Sequence, residues 1–134
     1  MNIGQCIHEQ LAATAAITAL VANRIYQLQL PDNCPNPAIV FSLIDDPQEQ
    51  AQAMGITTGP QEPGYQIACW DDTLAGAQAL AAAVKTALQD FSGLFGGAGG
   101  ITVTWIYYEG KTELADPDTG TFQVILQFKI CFTE

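Results

Sequence analysis

The segment that decides the fold is residues 122–132, FQVILQFKICF, in which large apolar side chains alternate with mostly polar ones. A repeat of two residues is that of a β-strand, whose successive side chains point to opposite faces of the sheet. We therefore predict a long C-terminal strand and expect the core to form against its apolar face. That face carries Phe122, Val124, Leu126, Phe128, Ile130 and Phe132, and the other face carries Gln123, Gln127 and Lys129.

Three further segments are predicted to be strands. Residues 38–44, AIVFSLI, are nearly continuous in apolar side chains, which is typical of a strand near the centre of a sheet. Residues 65–70, YQIACW, alternate, and residues 101–108, ITVTWIYY, follow a glycine-rich stretch at 96–100 that we expect to be a flexible turn.

Helical spacing is present at the N terminus. Ile3, Ile7 and Leu11 recur on one helical face, and Thr14 is a suitable N-cap for a second apolar stretch, residues 15–22. The pattern leaves open whether this region is one bent helix or two.

The clearest helix follows the strand at residues 65–70. Either Asp72 or Thr73 would cap its first turn, and the helix is expected to stop near Gly93. Its apolar stripe, at spacings of three and four residues, is Leu74, Ala77, Ala81, Val84, Leu88 and Phe91.

Two polar stretches are predicted to be loops. Residues 45–64 are rich in glycine and proline, and a loop of this length is usually functional. Residues 109–120 end in Asp116-Pro117-Asp118-Thr119-Gly120, a pattern typical of a tight turn rather than of a calcium loop.

The fold class predicted from these elements is α+β in a single domain, residues 1–134. Two helices would pack on one face of a mainly antiparallel sheet, with the long loop between the first two core strands.

The charge balance restricts the function. The chain has 4 Lys+Arg against 14 Asp+Glu, a formal net charge of −10, and its charged residues make up 13% of the sequence, against about 25% in an average soluble domain. So acidic a chain is not expected to bind nucleic acid or an anionic membrane through its charge. The shortage of charge predicts a subunit that buries surface in an assembly. We expect no secretory signal and no membrane span, and reduced thiols, at least two of them packed, at Cys6, Cys34, Cys69 and Cys131.

Candidate catalytic residues are few. His8, the single histidine, is interpreted as a helix-surface or interface residue because no nucleophile motif accompanies it. The pairs Asp45/Asp46 and Asp71/Asp72 follow strands, where carboxylates can bind a divalent cation or form a hydrolytic pair, but turns and helix caps also require Asp there. The alternative function is therefore a small ligand-binding or metal-dependent hydrolytic domain that uses these two pairs.

Three stretches together resemble a known family. The first is Arg24-Ile25-Tyr26 followed by a proline-rich connector into Pro37-Ala38-Ile39-Val40-Phe41, and the second is YQIACW at 65–70 with LAGAQAL at 74–80 and LQDFSG at 88–93. The third is DPDTGTFQV at 116–124. Their order is similar to that of the tail-completion, or tail-terminator, proteins of tailed bacteriophages and related prophages.

The resemblance implies a non-enzymatic structural protein without a cofactor. Such a protein would form a ring, usually of six copies, that caps the tail tube and joins it to the head–neck connector, in the virion neck after assembly in the bacterial cytoplasm. Genome DNA would pass through its channel without specific binding, and we expect the acidic excess partly to line that channel. The resemblance assigns structural or inter-subunit roles to Arg24, Tyr26, Trp70, Asp116 and Gly120, and we expect the loop at 45–64 to reach a neighbour or the tube through Met54 and Ile56.

Overall fold

A computed structural model describes residues 2–31, 34–45 and 60–133. The helices are α1 (Ile3–Ala12), α2 (Ala15–Val21) and α3 (Leu74–Leu88). The strands are β1 (Ile25–Gln27), β2 (Ala38–Asp45), β3 (Pro60–Gln61), β4 (Gly64–Asp71), β5 (Gly93–Phe95), β6 (Ile101–Asp116) and β7 (Thr121–Thr133). No helix in the described ranges is long and apolar enough to span a membrane.

The N-terminal region forms two helices, which answers the question that the sequence left open. A capping box starts α1: Asn2 Oδ1 accepts a hydrogen bond from the Gln5 amide at 2.8 Å, and the Asn2 amide donates to Gln5 Oε1 at 2.9 Å. Thr14 holds the N-cap position of α2 as predicted, but its hydroxyl makes no capping bond. It donates instead to the Gln10 carbonyl at 2.9 Å, so it ties the start of α2 to the end of α1.

The strands form one mixed sheet in the order β1-β2-β4-β7-β6-β5, with the short β3 also paired to β7. Within the described part of the chain β1 and β2 are parallel and every other pair is antiparallel. The predicted α+β class with a mainly antiparallel sheet is confirmed.

The core lies between the helices and one face of the sheet. α3 packs against β4, β6 and β7, while α1 contacts β1 and β5. The alternation predicted for β7 is present, because Val124, Leu126, Phe128 and Ile130 are at most 1% exposed, and Phe122 at the strand's beginning is half-buried. From β2 and β4 the same face receives Ile39, Phe41, Tyr65, Ile67 and Cys69.

The polar loop predicted at residues 109–120 is wrong. β6 continues through it to Asp116 and stays paired with β7 until Asp116 meets Thr121. The pairing is interrupted between Tyr108 and Gly110, where the glycine has a φ of +148°, and then resumes. The side chains of residues 111–115 are exposed, so this part of the strand can be polar. Its pairing with β7, rather than burial, holds it in place. The tight turn at its end is confirmed, and the Gly120 amide donates to the Asp116 carbonyl at 2.8 Å.

The predicted end of α3 is also wrong. The helix stops at Leu88, because Asp90 adopts a left-handed φ of +61° and the chain then enters β5, a strand that the sequence pattern did not reveal. Within the predicted stripe Leu74 is 39% exposed, and Leu80 is buried instead. Of the two proposed caps, Thr73 is the one used: its Oγ1 accepts from the Gly76 amide at 3.1 Å.

The predicted loop at residues 45–64 is described only at its ends. β2 ends at Asp45 and β4 begins at Gly64, while β3 lies inside the predicted loop. Residues 46–59 lie outside the described residues.

The turn between β5 and β6 supports a test of packing against α1. A Cβ on Gly96 would lie 2.7 Å from the Cα of Cys6, whereas a Cβ on Gly97 would meet open space, and both glycines have positive φ. Gly96→Ala should therefore lower the free energy of unfolding by about 1–3 kcal/mol more than Gly97→Ala, the matched control that carries backbone strain alone. Urea denaturation of both variants measures the difference. Equal losses would contradict the close approach of this turn to α1.

Candidate assembly surface

Parts of the three stretches that carry the family resemblance meet at one end of the sheet. In the ladders Ile25 pairs with Ile39, Ala38 with Trp70, and Trp70 with Gln123. The turn at 116–120 leads into the same end of β7. Residues far apart in the chain thereby surround one cavity of ≈330 Å³, which we call the motif cavity. Its lining is Leu30, Pro31, Cys34, Asn36, Trp70, Asp116, Thr119 and Thr121.

A second cavity adjoins the motif cavity on the sheet face away from the helices. It has a volume of ≈310 Å³ and shares Leu30 and Trp70 with the first. Its floor comes from the side chains of β2, β4 and β7 that alternate with the core positions, so the described residues leave this face of the sheet open. The remaining lining is Leu28, Gln29, Val40, Ser42, Gln66, Ala68, Gln123 and Ile125.

Trp70 has a polar group without a partner among the residues that the structure describes. Its ring is half-buried between the two cavities, and its Nε1 atom is buried without a hydrogen-bond partner. An unpaired buried donor costs about 1–3 kcal/mol, and such groups in native proteins call for an explanation. An acceptor supplied by a partner molecule would remove this cost.

Asp116 and Gly120 build the turn beside Trp70. One carboxylate oxygen of Asp116 accepts from the Asp118 amide at 3.0 Å, and Gly120 adopts the left-handed φ of +69° that the turn needs. Asp116 is half-buried and lines the motif cavity. Its described contacts are those of a turn residue at the edge of the candidate surface.

Arg24 and Tyr26 hold the proline-rich connector in place. Arg24 Nε donates to the Pro37 carbonyl at 2.8 Å, and its Nη2 donates to the Leu20 carbonyl at 3.5 Å. The pKa of Tyr26 is raised, and the largest cause is its side-chain hydrogen bond with Cys34. Desolvation and the charge of Cys34 raise the pKa further, while the charge of Arg24 lowers it. These contacts shape the wall of the motif cavity that carries Cys34. The interface role of Arg24 and Tyr26 stays a prediction.

Asp45 and Asp71, one from each aspartate pair, do not share a cleft. Asp45 pairs with Gly64 at one end of β4 and Asp71 lies at the other end, seven residues or roughly 23 Å away. Asp71 Oδ1 accepts from the Asp72 amide at 2.7 Å, and Asp72 Oδ1 accepts from Asn36 Nδ2 at 3.0 Å, so this pair acts in turn and connector contacts. Asp46 lies outside the described residues. Among those described, no three His, Cys, Asp or Glu side chains are placed to hold a metal ion.

The remaining candidates have structural surroundings. His8 is half-buried on α1, and its Nδ1 lies 3.9 Å from Glu9 Oε1. The four cysteines are free; Cys6 and Cys69 are fully buried, and burial raises the pKa of Cys69 to about 12, which keeps it a neutral thiol. Met54 and Ile56 lie outside the described residues, so their predicted anchoring role stays a prediction.

The apolar part of this surface was not predicted from the sequence. Leu28 is 73% exposed with a φ of +76°, and Val40, Ala68 and Ile125 lie on the non-core face of their strands. The available signal was that residues 38–44 carry apolar or small side chains on both faces, which a strand exposed to water on one side does not need.

The unpaired indole supports a prediction on stability. Trp70→Phe should change the free energy of unfolding of the isolated chain by less than about 1 kcal/mol, because the lost ring area is offset by removal of a buried, unsatisfied donor. Trp105→Phe, at a 38% exposed position on β6, is the matched control. Urea denaturation of both variants provides the measurement. A loss of more than about 2 kcal/mol for Trp70→Phe alone would mean that the isolated chain already satisfies the indole.

The chain matches known proteins over nearly its whole length. The family model described as tail completion protein gp17 matches residues 5–133. A solved structure described as the virion of a native gene transfer agent particle superposes with a TM-score of 0.71 at 19% identity, covering 96% of this chain and 92% of that one. At this identity the likeness shows the fold alone. No curated protein matches the sequence.

Proposed function

The chain belongs to the tail completion protein gp17 family, and from this premise we propose that it forms a ring that caps the tail tube and joins the tail to the head–neck connector. Membership makes it a structural protein of the phage virion, located in the tail. The likeness to a chain of a gene transfer agent virion supports a place in such a particle, and the ring and the joining role are our inference from the family. A non-enzymatic role is part of the proposal, and so is a single domain spanning residues 1–134.

The observation that carries the proposal is the surface around Trp70. In this chain with 13% charged residues, a buried indole donor has no partner among the described residues at the point where two cavities adjoin. Interfaces bury aromatic anchors among apolar groups and satisfy their polar atoms across the contact. The same variant used for stability, Trp70→Phe, should therefore weaken assembly although the isolated chain stays folded.

The partners in this proposal are further copies of the chain, most simply six, with the tail tube protein on one side and the connector on the other. Genome DNA passes through the central channel without specific binding. The segment between β2 and β3 carries Met54 and Ile56, and we place it as the arm that reaches a neighbouring subunit or the tube.

Removal of the arm tests the proposal directly. Deletion of residues 51–58 should leave a folded chain, because β2, β3 and β4 remain, but should abolish ring formation or tail attachment. The measurement is complementation: tails produced without this protein are mixed with wild-type or deleted chain, and tail length and head joining are scored by electron microscopy.

A pair of polar substitutions tests whether the arm acts through its apolar side chains rather than through its length. Met54→Ser with Ile56→Ser should reproduce the loss, whereas Gln50→Ser with Gln52→Ser, the matched control on the same segment, should complement. Normal capping and joining by the deleted chain would show that the arm is assigned wrongly. A wild-type chain that neither caps nor joins tails would overturn the proposed function as a whole.

The acidic excess supports a prediction about the channel. With a net charge of −10 per copy, the ring should present negative potential to DNA and let it slide. The assembled ring should therefore show no DNA binding at physiological salt by fluorescence anisotropy, and a structure of the ring should show carboxylates along the channel. A neutral or basic channel wall would contradict this placement.

A further inference from the structure

Two of the chain's four cationic side chains line one small cavity. Lys85 of α3 and Lys111 of β6 face it, and the cavity has a volume of ≈180 Å³. A water molecule needs about 10–15 Å³ on such a measure, so the cavity has room for the end of a side chain. Its other walls are Gln78, Ala81, Ala82, Tyr108, Val124 and Leu126.

These lysines have no close acidic partner in the described chain. The Lys85 ammonium lies 4.4 Å from the centre of the Tyr108 ring, a cation–π contact that orients it without neutralising it. Within the described residues no lysine or arginine nitrogen lies within 4.0 Å of a carboxylate oxygen. Glu113, two residues beyond Lys111 on β6, is held instead by Gln78, whose Nε2 donates to Glu113 Oε2 at 2.7 Å.

The other two cations have different surroundings. Arg24 donates to two backbone carbonyls of its own chain. Lys129 lies in the same neighbourhood as Glu62 and Glu109, because all three act on the Cys131 thiol. Burial and the two carboxylates raise the pKa of that thiol, and Lys129 lowers it. Lys85 and Lys111 are therefore the pair of positive charges that the described residues leave available in one place.

We propose that the Lys85–Lys111 cavity binds a carboxylate side chain of a second copy of this chain. This inference rests on the proposed ring. Copies that each carry a net charge of −10 repel one another, so their contact needs local pairs of opposite charge, and only a few cations can provide them. Each copy brings 14 carboxylates. A DNA phosphate is disfavoured because a polyanion meets the negative field of the whole subunit.

Charge removal at the cavity tests the proposal. Lys111→Gln should weaken self-association by about tenfold or more in sedimentation experiments, because a charge-assisted hydrogen bond is lost at every contact. Lys129→Gln, which removes the same charge from the neighbouring strand, should associate like the wild type. Lys111→Arg should retain association, and circular dichroism with thermal unfolding should show every variant folded. Equal association of Lys111→Gln and Lys129→Gln would overturn the proposal.

Zero-length cross-linking identifies the partner group. Carbodiimide treatment of an assembled mixture of ¹⁴N- and ¹⁵N-labelled chains should give mixed-label peptides that join Lys85 or Lys111 to an aspartate or glutamate. Cross-links confined to single copies would overturn the proposal. It would also be overturned if the wild-type chain binds DNA and Lys111→Gln abolishes that binding while self-association is unchanged. A ring that forms equally well in Lys111→Gln leaves the proposed function intact, whereas a wild-type chain that never self-associates overturns the ring itself.

Discussion

The burial of one face of β7 is the constraint on which the rest of the structure depends. β7 pairs with β4 on one side and β6 on the other, and α3 lies across its apolar face. A fully buried phenylalanine or leucine contributes about 1.5–3 kcal/mol relative to an exposed one, and β7 buries several in a row. A slip of one residue would turn all of them to the opposite face, so this strand fixes the register of its neighbours.

The same pairing places both surfaces that lack partners among the described residues. Because β6 follows β7 to its first residue, the turn at Asp116–Gly120 reaches the end of the sheet where Trp70 lies. The long ladder also sets Lys111 opposite Leu126, under α3 and beside Lys85. Shortening the β6–β7 hairpin would remove a wall from each cavity, so a stretch that contributes little to the core still determines what the molecule can bind.

Local periodicity predicted the buried elements and failed where burial is absent. The repeat of two residues identified β7 and β4, and the helical stripe identified α3. Residues 109–116 have no such repeat because their side chains are exposed, and their strand exists only through pairing with β7, which no local window reveals. The helix end was misplaced because Phe91 continues the stripe and packs against the core after the helix has ended. The meeting of parts of the three motif stretches follows from the strand order, which the sequence does not show. Lys85 and Lys111 come together only because α3 packs on the β6–β7 hairpin, so no sequence pattern predicts the cavity that they line.

The two surfaces differ in the way that the proposed ring would require. A closed ring of more than two copies uses a heterologous contact, in which one patch of a subunit meets a different patch of the next. A two-fold dimer would instead need one self-complementary patch. The cavity behind Trp70 lies on the sheet face away from the helices and offers an apolar wall with a hydrogen-bond donor, whereas the Lys85–Lys111 cavity lies on the helix side and offers positive charge. Both patches offer hydrogen-bond donors, so each needs an acceptor on a different surface of a neighbouring copy, and they face opposite directions. Two unlike patches on opposite faces of the sheet, on a subunit with few other charges, fit head-to-tail closure better than pairing about a two-fold axis.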